Sequence, residues 1–503
     1  MERRVLFKNI LCSLSLQFVT ILSGFVVPKI ILSYFGSEVN GLISSINQFL
    51  NYIQLLEGGL SGVILAALYK PLAENDQNKV SSVINATQSF FKKIALIFVF
   101  YMIGVAFIYP LFIKTGFNYL YCVSLIIVLG SHLFVQYFFS LSLKLLLNAD
   151  RKVYVVSLTQ IVIVTLNMFA VIIFAKLFSD ILLIKIASAT IFLIQPLVYG
   201  YYVKKYYRID KSIPSDNDAL SQRWAGFGIN LAYFIHTNTD VIILTLFSTL
   251  TEVSVYAVYL MVVNALKNLV MSISQAITPS LGKSIVSDDK YVANSKFDLY
   301  ELALYLITTI IFTCGAFMIT PFIRIYTSDI HDANYEQYIF GYLLILAEMI
   351  YCFRDPYVSV SYVAGHFKQV TKYAMLEVVI NLVISLSLVH RLGIIGVAIG
   401  TLISMLVRGI AHVFYLKNNI LKRSPLIALK RFLVFSLITF ISLIISNMIF
   451  VDKVKSYYSL ILLGINELIM VLTIVIIVVL FFYKRQVKQI FGSKFDSFLR
   501  RRK

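Results

Sequence analysis

Lys29 follows Pro28, and Lys267 lies between Asn264 and Asn268, each within a long apolar stretch. Proline removes one backbone hydrogen bond and can kink a helix, leaving carbonyls and a cation to face an interior cavity. A fixed ammonium group in a water-filled cavity attracts an anionic ligand group without any catalysis. Lys29 sits nearer one end of its stretch, where snorkelling to the interface competes with a cavity position. Lys267 is central, which favours the cavity. Arg354, followed by Asp355 and Pro356, is a third deep cation, open to a structural ion pair as well as to a ligand. Arg408, with His412 one turn on, lies near enough to the end of its stretch to reach lipid headgroups. Among the carboxylates, Asp240 closes the polar string His236-Thr237-Asn238-Thr239-Asp240, and Glu57 precedes Gly58-Gly59 and Gly62. Either suits a coupling cation or the neutralisation of a lysine on a closely approaching helix. Glu348, Glu377 and Glu467 are the other acidic residues in apolar stretches.

The elements that hold these groups must work in lipid. Of 503 residues 59% are hydrophobic and 14% charged, and the mean hydropathy is +0.84, far from the make-up of a soluble domain. Apolar runs of about twenty residues or more recur along the chain, each able to cross the hydrocarbon layer as a helix. A β-barrel would alternate polar and apolar residues instead. The four cysteines fall singly, without zinc-type spacing. The acidic loop Ser328-Asp329-Ile330-His331-Asp332 has no fixed ligand spacing and reads as a solvated turn. No GxxxxGK[ST] loop is present. These observations predict no metal, no cofactor and no enzymatic centre. The net charge of +19 is spread over short loops, which is the pattern that sets topology and not a nucleic-acid footprint.

About fourteen membrane spans follow from the apolar runs. The first six fall near 10–34, 41–68, 93–113, 119–147, 154–176 and 182–203, and six more lie between 223 and 415. An extra pair lies near 430–450 and 458–483. The stretch Ile30-Ile31-Leu32-Ser33-Tyr34-Phe35-Gly36-Ser37 is echoed by Ile242-Ile243-Leu244-Thr245-Leu246-Phe247-Ser248-Thr249. At nearly the same offset Ala149-Asp150-Arg151-Lys152 with Asn167 is echoed by Gly365-His366-Phe367-Lys368 with Asn381. Two echoes at one offset imply a duplicated half, typical of transporters. The expected organisation is an all-α polytopic membrane protein with two pseudo-symmetric six-helix lobes, 1–210 and 211–425. Two additional helices at 426–485 and a basic tail at 486–503 complete it. The first span, although preceded by Arg3, Arg4 and Lys8, lacks a small-residue cleavage site and is not read as a signal peptide. Most of the 44 Lys and Arg fall on the side of both termini, which the positive-inside rule makes cytoplasmic.

The stretches Leu56-Glu57-Gly58-Gly59-Leu60-Ser61-Gly62 and Tyr69-Lys70-Pro71-Leu72-Ala73-Glu74-Asn75-Asp76 resemble bacterial polysaccharide repeat-unit flippases of the Wzx type. So do Thr239-Asp240-Val241-Ile242-Ile243-Leu244, Pro279-Ser280-Leu281-Gly282 and the run from Asn381 to Thr401. The resemblance implies membership of the superfamily of multidrug and toxic compound extruders and lipid II flippases. It implies transport of undecaprenyl-diphosphate-linked oligosaccharide from the inner to the outer leaflet of the bacterial cell membrane by alternating access. Cavity cations, here Lys29, Lys267 and Arg354, would attract the diphosphate, while Asp240 and Glu57 would serve coupling or charge pairing. A polysaccharide polymerase and assembly proteins are the implied partners, besides membrane lipids. A drug or cation antiporter on the same fold is the alternative, since Asp240 and Glu57 would suit a positive ligand. A glycan-polymerising membrane enzyme fits less well, because no loop is large enough to carry an active site.

The tail places Val487, Ile490, Phe491, Phe495 and Phe498 at spacings of three and four among basic residues, the pattern of an interfacial helix or of a topogenic tail. The charge asymmetry yields a direct test. Cysteine reporters at Asp329 and Asp452 should label from outside intact cells, and reporters at Asn217 and Asp288 should not; reversed labelling would overturn this topology.

Overall fold

Hydrocarbon offers no hydrogen-bond partners, so a chain this apolar must satisfy its backbone within each segment. In the computed structural model, residues 2–57, 60–113, 116–216, 227–285, 290–449, 454, 456–484 and 486 are described, and no strand occurs among them. The helices are α1 (Glu2–Asn51), α2 (Gln54–Glu57), α3 (Leu60–Ala73), α4 (Gln77–Phe112), α5 (Tyr119–Val135), α6 (Leu141–Ala149), α7 (Val153–Leu177), α8 (Ile181–Phe192) and α9 (Ile194–Tyr206). They continue as α10 (Phe227–Phe247), α11 (Leu250–Ile285), α12 (Lys290–Tyr326), α13 (Tyr338–Val363), α14 (Phe367–Leu392), α15 (Ile394–Asn419), α16 (Pro425–Ile449) and α17 (Tyr457–Phe482). Eleven segments among the described residues are long and apolar enough to cross a membrane. The chain is thus an all-α polytopic membrane protein, as its composition requires. Residues 487–503 of the tail lie outside the described residues, as do Gly58, Gly59, Asn217, Asp288 and Asp452.

Several boundaries differ from those the apolar runs suggest. Helix α1 runs straight through Pro28, and its only non-helical residue is Gly36, with φ 82° and ψ 176°. That left-handed φ suits glycine, and a Cβ there would sit 2.8 Å from an Asp332 carboxylate oxygen. The expected second span is assembled from the end of α1 and the short helices α2 and α3. Between α5 and α6 the helix widens into a π turn at Gln136–Ser140, a feature that carries no hydropathy signal.

Two compact units form. The first comprises Met1–Ala257 with Asp329–Ala333, and the second Val258–Ser328 with Asn334–Lys503. The first has a core that includes Leu42, Ile46, Phe91, Phe98, Leu125 and Leu146. In the second, α13 and α14 both pack on α15, and α12 receives α16 and α17. Large apolar side chains also face outward, among them Phe100, Leu111 and Phe481, as expected where the solvent is lipid.

Helix ends fall at or beside the echoed stretches, though in the second pair the left-handed residues Arg151 and Gly365 are two positions out of the echoed register. Gly36 breaks α1, and its counterpart Ser248 lies between the end of α10 and the start of α11. Helix α6 ends before Arg151, at φ 57°, while α13 ends before Gly365, at φ 77°. In the next position Lys152 donates to the hydroxyl of Tyr207 over 3.0 Å, and a ring nitrogen of His366 lies 2.9 Å from the hydroxyl of Tyr415. Each turn is fastened to the end of a later helix by the same kind of contact.

Backbone approach sets one sharp limit within the first unit. A Cβ on Gly41 would fall 1.8 Å from the carbonyl oxygen of Leu250, whereas one on Gly62 would meet nothing within 4 Å. Gly41→Ala should therefore destabilise by ~3 kcal/mol, and Gly62→Ala should be neutral or slightly stabilising. Thermal unfolding of the purified variants in detergent checks both.

Candidate functional site

A charge in a spanning segment persists only with a partner or with water, so the partners of each candidate group define its chemistry. In the first unit, Lys29 on α1 forms an ion pair with Asp329, whose other oxygen accepts from Ser33 Oγ at 2.7 Å. Asp332 caps the helix that resumes after Gly36, accepting from Ser37 N at 2.7 Å and Ser37 Oγ at 2.6 Å. The loop expected to be a solvated turn thus supplies two anchoring carboxylates. Burial opposes ionisation of Asp329, but the hydrogen bonds from Lys29 and Ser33 outweigh it and hold the carboxyl below its usual range. The contact is complete at neutral pH and is lost only as the pH falls through that lowered value.

Asp240 is buried and accepts from the Tyr256 hydroxyl at 2.8 Å. The polar string before it needs no aqueous cavity for its hydroxyls. Thr237 and Thr239 donate to carbonyls of Tyr233 and Ile235 on their own helix, and Asn238 donates to Phe234 O. Nothing is described of the His236 side chain. Glu57 accepts from Ser61 Oγ at 2.6 Å and from Tyr137 on the π turn at 3.4 Å, so its described partners are hydroxyls and not a cation.

The second unit concentrates charge. Lys267 on α11 pairs with Glu348 on α13 at 3.2 Å, with side chains 14% and 7% exposed. The Tyr351 ring lies one turn on, 5.2 Å from the Lys267 ammonium and 4.7 Å from the Arg354 guanidinium. Arg354 pairs with Glu377 on α14, and Arg408 on α15 binds the other oxygen of Glu377 at 2.5 Å. Glu377 is fully buried. Arg408 was expected to reach headgroups; it is instead buried, within 3.4 Å of the Tyr362 hydroxyl. Asp355 points away from Arg354 and accepts from Ser274 and, at 3.3 Å, from Tyr300, as the opposed directions of adjacent helix positions require. Three cations and two carboxylates therefore form a continuous row. Arg354 also borders an apolar cavity of about 390 Å³, walled by Ile350, Phe353, Leu406, Ile410 and Phe432.

A second cluster in this unit escaped sequence reading. Glu301 on α12, fully buried, accepts from Tyr357, Arg423 and, at 2.5 Å, Arg431. Asp298, one turn earlier, binds Arg423 at 2.7 Å and Arg431 at 3.0 Å. Two cations meet two carboxylates, so the cluster is locally neutral and fixes α16 to α12. Glu301 within an expected span was its visible signal. Arg423 reads as a topogenic loop residue, and Arg431 falls at the start of the span expected near 430–450.

The five groups singled out from sequence thus divide. Lys267 and Arg354 share one row, while Lys29, Asp240 and Glu57 lie in the first unit with partners of their own. Among the described residues no cluster of His, Cys, Asp and Glu is arranged to hold a metal.

No family model matches the sequence, and no curated protein matches it. Solved structures do match the fold. A lipid II flippase, MurJ, in an inward closed conformation aligns with a TM-score of 0.68 and 18% identity over 92% of this chain and 98% of that one. An inward-facing multidrug resistance MATE family transporter of the MOP superfamily gives 0.64 and 13% identity over 80% and 95%. The MATE multidrug transporter DinF-BH gives 0.61 and 16% over 82% and 95%. The chain has the fold these proteins share.

Glu377 is the element of the row most open to test. Glu377→Gln leaves two buried guanidinium groups uncompensated and should cost about 3–5 kcal/mol, whereas replacing Arg354, Glu377 and Arg408 together by Met or Leu should cost less than that single change. Chemical or thermal unfolding of both variants in detergent decides it; equal losses would show that the pairing is not what stabilises this region.

Proposed function

We propose that the chain is a flippase that moves an undecaprenyl-diphosphate-linked oligosaccharide from the inner to the outer leaflet of a bacterial cytoplasmic membrane. The observation that carries this reading is the row Lys267, Arg354 and Arg408, which holds more cations than carboxylates and touches an apolar cavity. A diphosphate cannot enter hydrocarbon uncompensated, and fixed cations lower that barrier. Beside them, an apolar cavity suits part of a polyprenyl chain. The fold shared with a lipid II flippase supports the same class of cargo. Two lobes, 1–210 and 211–425, would alternate access, with Lys29 serving the diphosphate in one and Lys267 and Arg354 in the other. The carboxylates Asp329, Glu348 and Glu377 then neutralise these cations while no substrate is bound. A polysaccharide polymerase and assembly proteins would receive the product.

The antiporter reading keeps two supports, the buried Asp240 held by the Tyr256 hydroxyl and the match to MATE transporters. Proteoliposomes separate the two readings. Purified protein should expose labelled lipid-linked oligosaccharide to a glycan-modifying enzyme on the far side. Lys29→Ala or Lys267→Ala should slow this by about tenfold or more, the equivalent of ~1.4 kcal/mol, with the Arg variants retaining part of the rate. Full activity of both alanine variants, or export of a cationic dye in place of the glycan, would overturn the proposal.

A further inference from the structure

One cavity of the first unit differs in character from the apolar ones. It measures about 780 Å³ and lies between the ends of α3 and α6, lined by Tyr69, Leu72, Ala73, Asn148, Asp150 and Arg151 among others. Another cavity of this unit, about 270 Å³ and walled by Phe49, Tyr101, Ile108, Tyr109, Phe112 and Leu246, offers mainly hydrocarbon and ring surface. Both walls of the larger cavity come from stretches singled out in the sequence, the run Tyr69 to Asp76 and the echoed turn Ala149 to Lys152, to which no role has yet been assigned.

We propose that this cavity is a carbohydrate-binding site, which takes the sugar part of the cargo where it first meets the protein; in that last respect it rests on the flippase reading. Sugars pair a face of C–H groups with a rim of hydroxyls. Here Tyr69 is 55% exposed, with Leu72 and Ala73 as further apolar lining. The buried carbonyl oxygen of the Asn148 side chain has no hydrogen-bond partner, and a buried acceptor left so is costly until a donor arrives. Asp150 adds a carboxylate, of which one oxygen receives Tyr207 at 2.5 Å and Lys152 at 2.8 Å.

Asp150 pairs with Lys152, Arg151 adds a cation to the lining, and the polar groups of this wall disfavour an acyl chain. A polyol meets both surfaces. The volume falls within the range of sites for small organic ligands, roughly 300–1,000 Å³. The wall is also held in place before any ligand binds. Asn9 on α1 donates to the Arg151 carbonyl at 2.7 Å and accepts from Tyr154 N at 2.9 Å, and Arg151 itself occupies the left-handed region at φ 57°. Pre-formed geometry of this kind lowers the ordering cost of binding.

The test uses the full chain in lipid nanodiscs and a panel of free tetrasaccharides built from hexoses, N-acetylhexosamines and uronic acids, read by saturation-transfer NMR. At least one glycan should receive saturation from the wild type. Tyr69→Ala should reduce that signal about fivefold or more, Tyr69→Phe should retain it because the ring remains, and Asn148→Leu should weaken it without touching the ring. Leu111→Ala, on the outward face of α4, should leave it unchanged. Should Tyr69→Ala fail to fold, the Asn148→Leu and Tyr69→Phe pair gives the same contrast. No transfer from the wild type to any glycan, or undiminished transfer in Tyr69→Ala and Asn148→Leu, overturns the site. Glycan binding that depends on Tyr69 in a protein that flips no lipid-linked oligosaccharide would instead sustain the site and remove the flippase reading.

Discussion

A carboxylate held between two guanidinium groups has no substitute in a hydrocarbon environment, because neither water nor backbone can take its place at that depth. Glu377 occupies this position between Arg354 and Arg408, and as long as the two guanidinium groups are present it ties α13, α14 and α15 to one another. The same constraint acts at Glu301, where Arg423 and Arg431 converge from the loop before α16 and from α16 itself. Apolar surface alone would not select these helix neighbours, since lipid tails are as apolar as the helices they surround. Charge pairing supplies the selection, and oily contacts fill in around it.

Hydropathy and length were enough to read an all-α polytopic protein, because each membrane crossing is a local property of about twenty consecutive residues. Turns beside the echoed stretches are local in the same way: Gly36 stands against Ser248 in one pair, whereas in the other Gly365 stands against Ala149 and the left-handed residue of the first copy is Arg151, two positions on. Pairing was not legible. Lys29 and Asp329 are 300 positions apart, and Glu301 and Arg431 are 130 apart, so nothing local announces that they meet. Arg408 was misplaced for this reason; its distance from the span end was readable, but the presence of Glu377 opposite it was not. The break in α1 falls at Gly36 and not at Pro28: membrane helices tolerate an internal proline, while a φ of 82° does not fit a helix at all.

The three cations proposed to meet an anionic cargo all have carboxylate partners. Such a site is not empty between cycles; its cations are neutralised by the protein's own acids. On the flippase proposal an entering diphosphate would have to outcompete Glu348 or Glu377 in a region of low dielectric, where both the attraction and the cost of an unpaired group are large. Under that proposal selectivity would follow from charge number, since a monoanion gains little by replacing a carboxylate, whereas a diphosphate would engage neighbouring cations at once. The Tyr351 ring, shared by Lys267 and Arg354, keeps those cations adjacent whichever anion they face.

The long separations between partners also bear on how the chain is made. A ribosome adding about 5–20 residues per second delivers Asp329 roughly 15–60 s after Lys29, given the 300 positions between them. For that interval α1 is already committed to the bilayer with an ammonium group whose final partner does not yet exist. Lys29 must spend it at the interface, neutralised by headgroup phosphates and water, and must give up those contacts when Asp329 emerges. Glu301 waits in the same way for Arg431, over 130 positions. The pairs between distant positions can therefore form only after the helices that carry their first partners have been made.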